Sequence, residues 1–157
     1  GHELIGEVLA VGKTVGRFKK GDRISMGYSA SCGDCYMCKV GQTAHCETTH
    51  KAVYGFGVPF GSLNGTHAET LVLPYADGHA MKVPAGISDS AAITLSCNLP
   101  SAVIANELAN IQVGETVAVI GLDGAGCWAA QGTRAIERRG CLAQKAGHCS
   151  KKRGGNV

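Results

Sequence analysis

The distribution of apolar and polar residues divides the chain near its middle. Up to Pro84, short β-branched or alternating apolar runs are separated by turns rich in glycine and proline, a pattern that predicts strands. The predicted strands span residues 3–11, 23–28, 66–73 and 79–83. We therefore expect the first part of the chain to form a β-rich domain.

The second part favours helices and one buried strand. Residues 88–109 are alanine-rich with helical spacing, Ser88 is a suitable N-cap, and Asn98 and Pro100 divide the segment into two helices. Residues 115–121 form a continuous apolar run bounded by glycine, which is typical of a strand in a parallel sheet. This order predicts connecting helices followed by the start of an α/β unit.

A glycine-rich turn and a predicted helix over 127–138 complete the recognisable pattern. Beyond Arg139 the sequence contains neither a β-branched run nor a helical stripe, so no strand is expected there. The same end of the chain is basic, since residues 134–157 contain seven basic side chains and one acid, Glu137. Without basic residues patterned over a folded face, this end is interpreted as a solvated tail and not as a nucleic-acid surface.

Composition limits the function classes further. The 157 residues are 45% hydrophobic and 17% charged, which argues against intrinsic disorder. The 23 glycines and the low aromatic content of 5% are typical of a turn-rich β protein and not of a long-helix bundle. No apolar run reaches the roughly 18 residues of a membrane span. These features predict a cytoplasmic protein that binds neither a membrane nor nucleic acid.

Four of the eight cysteines lie within fifteen residues, with the spacing C-x2-C-x2-C-x7-C. They are Cys32, Cys35, Cys38 and Cys46. Two-residue spacers allow a tight turn to direct successive thiolates at one point, which is the geometry that a tetrahedral zinc ion requires. Disulfides would strain loops this short. The spacing predicts a structural zinc site that leaves no coordination position open, so any catalytic function must lie elsewhere.

Several further motifs occur in a fixed order along the chain. They are Gly1-His2-Glu3 followed by Gly6 and Gly12, Gly-Asp-Arg at 21–23, the cysteine loop, Gly-x-x-Ala-Glu at 65–69 and a glycine-rich turn after 115–120. In this combination the chain resembles the zinc-dependent medium-chain alcohol dehydrogenases over residues 1–138. The resemblance implies that the chain is a central fragment of such an enzyme and that the tail does not belong to the family.

The resemblance also implies a mixed β and α/β fold. A GroES-like β-barrel catalytic domain would occupy residues 1–87, with its structural zinc lobe at 31–47, and an incomplete Rossmann unit would follow. Connecting helices are expected over 88–113, the start of the Rossmann domain over 114–139, and a basic tail outside the family pattern over 140–157.

The implied activity is hydride transfer between an alcohol and NAD or NADP, with an aldehyde or ketone as the product. In such enzymes a second, catalytic zinc activates the alcohol oxygen. By the resemblance, His2 and Cys97 match ligands of that zinc. Glu3 matches an acidic residue beside the metal, which either stays next to the ligands without binding the ion or binds it transiently. Relatives are dimers or tetramers, so a homo-oligomer is expected for the full-length enzyme, and the fragment alone is expected to be inactive.

The turn between the predicted strand and helix matches a dinucleotide-binding turn at Gly121, Gly124 and Gly126. Asp123 occupies the position of the middle glycine, where a carboxylate adds bulk and repels the pyrophosphate. Two alternatives to an active dehydrogenase remain: a non-catalytic zinc-binding module, and a relative of the family that has lost its chemistry.

Overall fold

The structure, a computed structural model, describes residues 1–121, 123–136, 142–145 and 148–150. It divides into two compact units, Gly1–Ser96 and a second unit that begins at Cys97. Among the described residues, no helix combines the length and the apolar character needed to cross a membrane.

A three-stranded antiparallel sheet forms the centre of the first unit. Its strands are β1 (Ile5–Glu7), β2 (Arg23–Met26) and β3 (Ala80–Lys82), with β2 in the middle. The predicted strand over 3–11 is therefore confirmed only in part. Beyond Glu7 the ladder gives way to two single hydrogen bonds, from the Val8 amide to the Asp22 carbonyl (2.9 Å) and from the Gly21 amide to the Val8 carbonyl (2.8 Å).

The apolar core of this unit lies on the sheet. Its buried residues share small or aliphatic side chains, with two aromatic rings among them. They are Val8, Phe18, Ile24, Met26, Ala30, Tyr54 and Ala80. The predicted strands around residues 3–11 and 23–28 thus contribute Val8, Ile24 and Met26 to the core.

The predicted strand over 66–73 is wrong. This segment follows an irregular path and pairs with no described strand. Its alternation of burial is nevertheless real, because Leu71 and Leu73 pack against the core while Val72 is 84% exposed. A period of two reports which side chains face the core, and it does not supply a hydrogen-bonding partner for the backbone.

Short helices connect the strands of the first unit. The α-helices are α1 (Tyr36–Lys39), α2 (Ala76–His79) and α3 (Asp89–Ala92), and the 3₁₀-helices span Thr43–His45, Val58–Phe60 and Ile93–Ser96. Ser88 caps α3 as predicted, since its hydroxyl oxygen accepts a hydrogen bond from the Ala91 amide.

The second unit contains α4 (Asn98–Ala109), β4 (Ala118–Ile120), α5 (Gly124–Ile136), β5 (Leu142–Lys145) and β6 (His148–Ser150). The predicted division of the helical segment is confirmed, but the break lies at Cys97, whose angles are the non-helical φ −146° and ψ −57°. Asn98 and Pro100, which were expected to cause it, lie in the first turn of α4. The two helices α4 and α5 pack through a polar contact, in which the buried Thr133 hydroxyl donates to the Asn106 side-chain carbonyl at 3.0 Å.

The expectation that no strand follows Arg139 is also wrong. Strand β5 pairs in parallel with β4, and β6 pairs antiparallel with β5. These strands arise from backbone pairing onto the edge of β4 and not from a side-chain pattern, which explains why the sequence did not predict them.

Candidate metal and cofactor sites

The four clustered cysteines converge on one point in the first unit. Their sulfur atoms all lie within 4.8 Å of one another. The distance from Cys32 Sγ to Cys38 Sγ is 4.0 Å, and the distance from Cys35 Sγ to Cys46 Sγ is 3.8 Å. The pairs share no cysteine, so they form opposite edges of a tetrahedron.

These distances fit a zinc ion. Four sulfur atoms placed about 2.3 Å from a central ion in a tetrahedron lie about 3.8 Å from one another. A disulfide would instead require a sulfur–sulfur distance of about 2.05 Å, and none of these four thiols forms one. The donor set therefore has the chemistry, the number and the spacing of a structural zinc site.

Local backbone geometry positions the thiols. Cys32 and Cys35 flank a tight turn in which the Cys35 amide donates to the Cys32 sulfur at 3.3 Å, while Cys38 projects from α1 and Cys46 follows a 3₁₀-helix. The Cys32 amide donates to the sulfur of Cys46 at 3.4 Å. Amide hydrogen bonds of this kind stabilise thiolates, the form that binds metal.

The surroundings of Cys38 and Cys46 shift the pKa values of these two thiols in opposite directions. Burial raises the pKa of Cys38 to about 12. Burial also acts to raise the pKa of Cys46, but hydrogen bonds from Thr49 and from the Cys32 amide outweigh it and lower this pKa to about 6. Since zinc binds the thiolate form, metal binding releases the proton that the Cys38 thiol holds.

The zinc lobe, defined here as residues 31–47, is fixed to the rest of the first unit at both ends. The Ser31 hydroxyl donates to the Gly78 carbonyl at 2.8 Å, and the Ala30 amide donates to the Ala52 carbonyl at 2.9 Å. The Thr49 hydroxyl donates to the Ala30 carbonyl at 2.7 Å. The hydrogen bond from Ser31 to Gly78 links the lobe to α2.

His2 and Glu3 lie on the wall of a cavity of about 410 Å³ in the first unit. Two aromatic rings meet the His2 imidazole edge-on, that of Phe56 at 5.4 Å and that of Tyr28 at 6.3 Å between centroids. His67 lines the same cavity. In the sequence, His67 is marked only by its place inside the Gly-x-x-Ala-Glu motif at 65–69.

A buried polar contact ties the segment after His2 to the end of the first unit. The Leu4 amide donates to the Ser96 hydroxyl oxygen at 3.0 Å, and the Ser25 hydroxyl donates to the Leu4 carbonyl at 2.9 Å. Cys97, a half-buried thiol, is bonded to Ser96 through the next peptide and begins the second unit.

In the glycine-rich turn of the second unit, each of the three glycines meets a different conformational or steric requirement. Gly121 has a φ of +90°, which favours glycine. A side chain at Gly126 would collide with the Gly121 carbonyl, and one at Gly124 would come within 2.6 Å of the Asn98 side-chain oxygen. The Asp123 carboxylate accepts a hydrogen bond from the Gly126 amide at 2.9 Å and so caps α5.

Comparison with known proteins identifies the family. Residues 1–85 match the model of the alcohol dehydrogenase GroES-like domain. This match covers more than half of the chain and includes the zinc lobe, His2 and Glu3. The chain belongs to the zinc-dependent medium-chain alcohol dehydrogenase family.

Other members of the alcohol dehydrogenase family resemble this chain in sequence over most of its length. A zinc-type alcohol dehydrogenase-like protein of Schizosaccharomyces pombe is 31% identical over 142 residues, which are 82% of this chain and 34% of the relative. The chain therefore spans about a third of the length of this relative.

Solved alcohol dehydrogenases share its fold. The enzyme from Thermus sp. ATN1 superposes with a TM-score of 0.82 at 32% identity, over 91% of this chain and 41% of that one. A thermostable alcohol dehydrogenase from Pyrobaculum aerophilum, solved with cobalt and zinc bound, gives a TM-score of 0.73 at 29% identity, with 91% and 41% covered. The expected fold class, a GroES-like catalytic domain followed by part of an α/β domain, is confirmed.

Proposed function

We propose that this chain is part of an NAD(P)-dependent enzyme that oxidises a small alcohol to an aldehyde or ketone and catalyses the reverse reduction. The observation that carries the proposal is the position of His2 and Glu3 on the wall of one cavity, inside the unit that matches the alcohol dehydrogenase domain. An imidazole and a carboxylate beside a cavity of about 410 Å³ suit a small substrate and a metal ion.

Two zinc sites with different tasks belong to this proposal. Cys32, Cys35, Cys38 and Cys46 would hold the structural ion, which is supported by their sulfur–sulfur distances. The catalytic ion would be held by His2 and Cys97, with Glu3 beside it. This is supported by chain connectivity, because Cys97 directly follows Ser96 and Ser96 is hydrogen-bonded to the backbone of Leu4.

A zinc ion bound there supplies Lewis acidity that polarises the alcohol oxygen. The protein's own contribution is to orient and to exclude water. Tyr28 and Phe56 each contact the His2 ring edge-on, and Ser25 and Ser96 fix the backbone that follows it. Gly121, Gly124 and Gly126 would bring the backbone of the second unit close to the pyrophosphate of NAD or NADP.

The proposal extends to the setting of the enzyme. Four thiols can bind zinc only while they stay reduced, which favours the cytoplasm. A dimer or tetramer of the full-length protein is proposed by analogy with the family.

The proposal is tested in the full-length gene product that contains this chain. Cys97→Ala should lower kcat by more than about a hundredfold and remove one of two zinc ions per chain, because it deletes a ligand. The lobe zinc should stay bound. The matched variant Cys127→Ala, which alters an exposed thiol on α5, should keep both metal ions and full turnover.

Metal content is measured by atomic emission, and turnover is measured as NAD(P)H formation with a panel of primary and secondary alcohols. A Cys97→Ala protein that retains two zinc ions and full turnover would exclude Cys97 from the site. A wild-type gene product that oxidises no alcohol would contradict the proposed function itself.

A further inference from the structure

The peptide group between Glu3 and Leu4 is held at both ends by buried hydroxyl groups. Its carbonyl oxygen, on Glu3, accepts from the Thr66 hydroxyl at 2.6 Å, and its N–H, on Leu4, donates to the Ser96 hydroxyl oxygen at 3.0 Å. Thr66 is only 8% exposed and Ser96 only 2% exposed, so water does not compete freely for either hydroxyl. Two distant residues, 63 and 92 positions away along the chain, therefore fix the plane of one peptide group.

These hydroxyl groups replace a strand partner. Strand β1 begins at Ile5, so the peptide group between Glu3 and Leu4 lies outside the antiparallel ladder. Backbone groups that are withdrawn from water need a hydrogen-bond partner. The hydroxyls of Thr66 and Ser96 supply one at each end, and loss of either hydroxyl would release the peptide plane at that end.

Thr66 also holds the backbone on the other side of His2. Its amide donates to the Gly1 carbonyl at 2.9 Å, in addition to the bond from its hydroxyl to the Glu3 carbonyl. His2 thus lies between the two acceptors of a single residue. Thr66 lines the same cavity as His2 and Glu3, so this restraint acts on the backbone from which both of those side chains project.

A backbone restraint of this kind influences metal binding. An imidazole and a carboxylate serve one ion only if their positions are held within narrow limits, and loss of a group that orients ligands typically reduces metal affinity or activity by about 10- to 100-fold. Rotation of the peptide plane between Glu3 and Leu4 would change the backbone angles of Glu3 and redirect its side chain relative to His2.

We propose that Thr66 is a positioning residue for the catalytic metal site. Its amide and its hydroxyl fix the backbone on both sides of His2, so that His2 and Glu3 are held at the cavity before an ion binds. This inference rests on the proposed function. It also gives a task to the Gly-x-x-Ala-Glu motif at 65–69, which contains Thr66 and which the mechanism above does not use.

The test measures the affinity of the full-length gene product for its second zinc ion. The protein is equilibrated in chelator buffers of fixed free zinc concentration, and bound zinc is measured by atomic emission. Thr66→Val keeps the shape of the side chain without the hydroxyl and should weaken binding of the second ion by about tenfold or more. Thr66→Ser keeps the hydroxyl and should retain most of the affinity. The lobe ion should stay bound in both variants.

Thr133→Val is the matched control for a general loss of stability. Thr133 is fully buried, and its hydroxyl donates to the Asn106 side-chain carbonyl in the second unit. Both valine variants remove one buried hydroxyl and should lower Tm. Only Thr66→Val should weaken the binding of zinc, because only Thr66 is hydrogen-bonded to the backbone around His2.

Ser96→Ala provides a second variant at the other end of the same peptide group. It removes the acceptor of the Leu4 N–H and should also weaken binding of the second zinc ion. This variant decides the question if Thr66→Val does not yield folded protein, since unchanged affinity in Ser96→Ala would show that the peptide plane needs no such restraint.

The outcomes separate this inference from the proposed function. If Thr66→Val has a lowered Tm but binds the second zinc ion as tightly as the wild type does, Thr66 is purely structural and the proposal is overturned, while the proposed function stands. A gene product that binds two zinc ions but oxidises no alcohol contradicts the proposed function, and the ratio of zinc affinities then still decides the role of Thr66. A wild type that binds the lobe ion alone overturns both.

Discussion

His79 uses both nitrogen atoms of its ring inside the first unit. Its Nδ1 atom lies 3.1 Å from the Tyr75 carbonyl, and its Nε2 atom lies 3.0 Å from the Tyr54 hydroxyl. Because a carbonyl only accepts, the hydrogen-bond network assigns the proton to Nδ1, and Nε2 accepts from Tyr54. Burial lowers the pKa of His79 and raises the pKa of Tyr54 to about 12, so both side chains are neutral near pH 7.

This pair makes stability depend on pH. The unfolded chain protonates His79 below about pH 6.5, whereas the folded protein does so only at lower pH. The contribution is fully present above the unfolded pKa and is lost as the pH falls from there toward the lowered folded pKa. His79→Gln removes this titration, so its free energy of unfolding should fall less than that of the wild type between about pH 7.5 and pH 5.5.

Urea denaturation at the two pH values checks the prediction. The exposed His50, changed to Gln, provides the comparison and should behave like the wild type. Equal losses of stability in His79→Gln and the wild type would show that the pair of the half-buried His79 and the buried Tyr54 does not contribute to the acid sensitivity.

Among the secondary-structure elements, α3 illustrates how a short helix is held in place. Its N-terminus is capped by Ser88, and Asp89 in its first turn accepts from Arg23 at 2.6 Å. Arg23 also donates to the Ile87 carbonyl at 2.5 Å. Since Arg23 begins β2, these contacts tie the helix to the central strand of the sheet.

Loss of the cap should weaken this connection. Ser88→Ala removes the acceptor for the Ala91 amide and should lower the free energy of unfolding by about 1 kcal/mol. Ser88→Asp keeps an acceptor at the same place and should remain within about 0.5 kcal/mol of the wild type. Thermal and urea denaturation of the two variants provide the measurement, and equal destabilisation by both would contradict a capping role.

The sequence predicted elements well where the signal is local. The N-cap at Ser88, the break before α4 and the strand at β4 follow from residues that are neighbours in the chain. The burial expected for β4 is wrong, since Ile120 is 84% exposed. The prediction also failed for 66–73, where alternation reflects packing of Leu71 and Leu73 without a strand partner. Pairing is decided by the backbone of a distant segment, which a periodicity does not describe.

The same contrast between local signals and long-range contacts applies to the candidate sites. The four-thiol cluster was predictable because fifteen consecutive residues contain all its ligands. The aromatic rings on His2 and the imidazole of His67 were not, since Tyr28, Phe56 and His67 reach the cavity region from separate parts of the chain. Only the fold brings such residues together.

Zinc binding should stabilise the entire first unit, because the lobe is attached to it through Gly78. A methyl group on Gly78 would lie 2.6 Å from the Cys32 carbonyl carbon and 2.7 Å from the Gly33 amide nitrogen. Gly78→Ala should therefore cost about 1–3 kcal/mol and reduce the rise in Tm on adding zinc. Gly27→Ala is the matched change, since its nearest contact would be 3.8 Å away.

Differential scanning fluorimetry with and without a chelator measures both effects. If Gly78→Ala and Gly27→Ala show the same zinc-dependent rise in Tm, the attachment of the lobe through Gly78 does not couple metal binding to the stability of the unit.

The hydrogen bonds between Leu4 and Ser96 join positions 92 residues apart. During synthesis on a ribosome, Leu4 leaves the exit tunnel long before Ser96 does. The first unit consequently cannot close until the 92 residues that follow Leu4 have been translated, and its β-strand edges stay unpaired for that interval. Ribosome-bound chains that end before Ser96 should therefore bind chaperones that recognise extended segments.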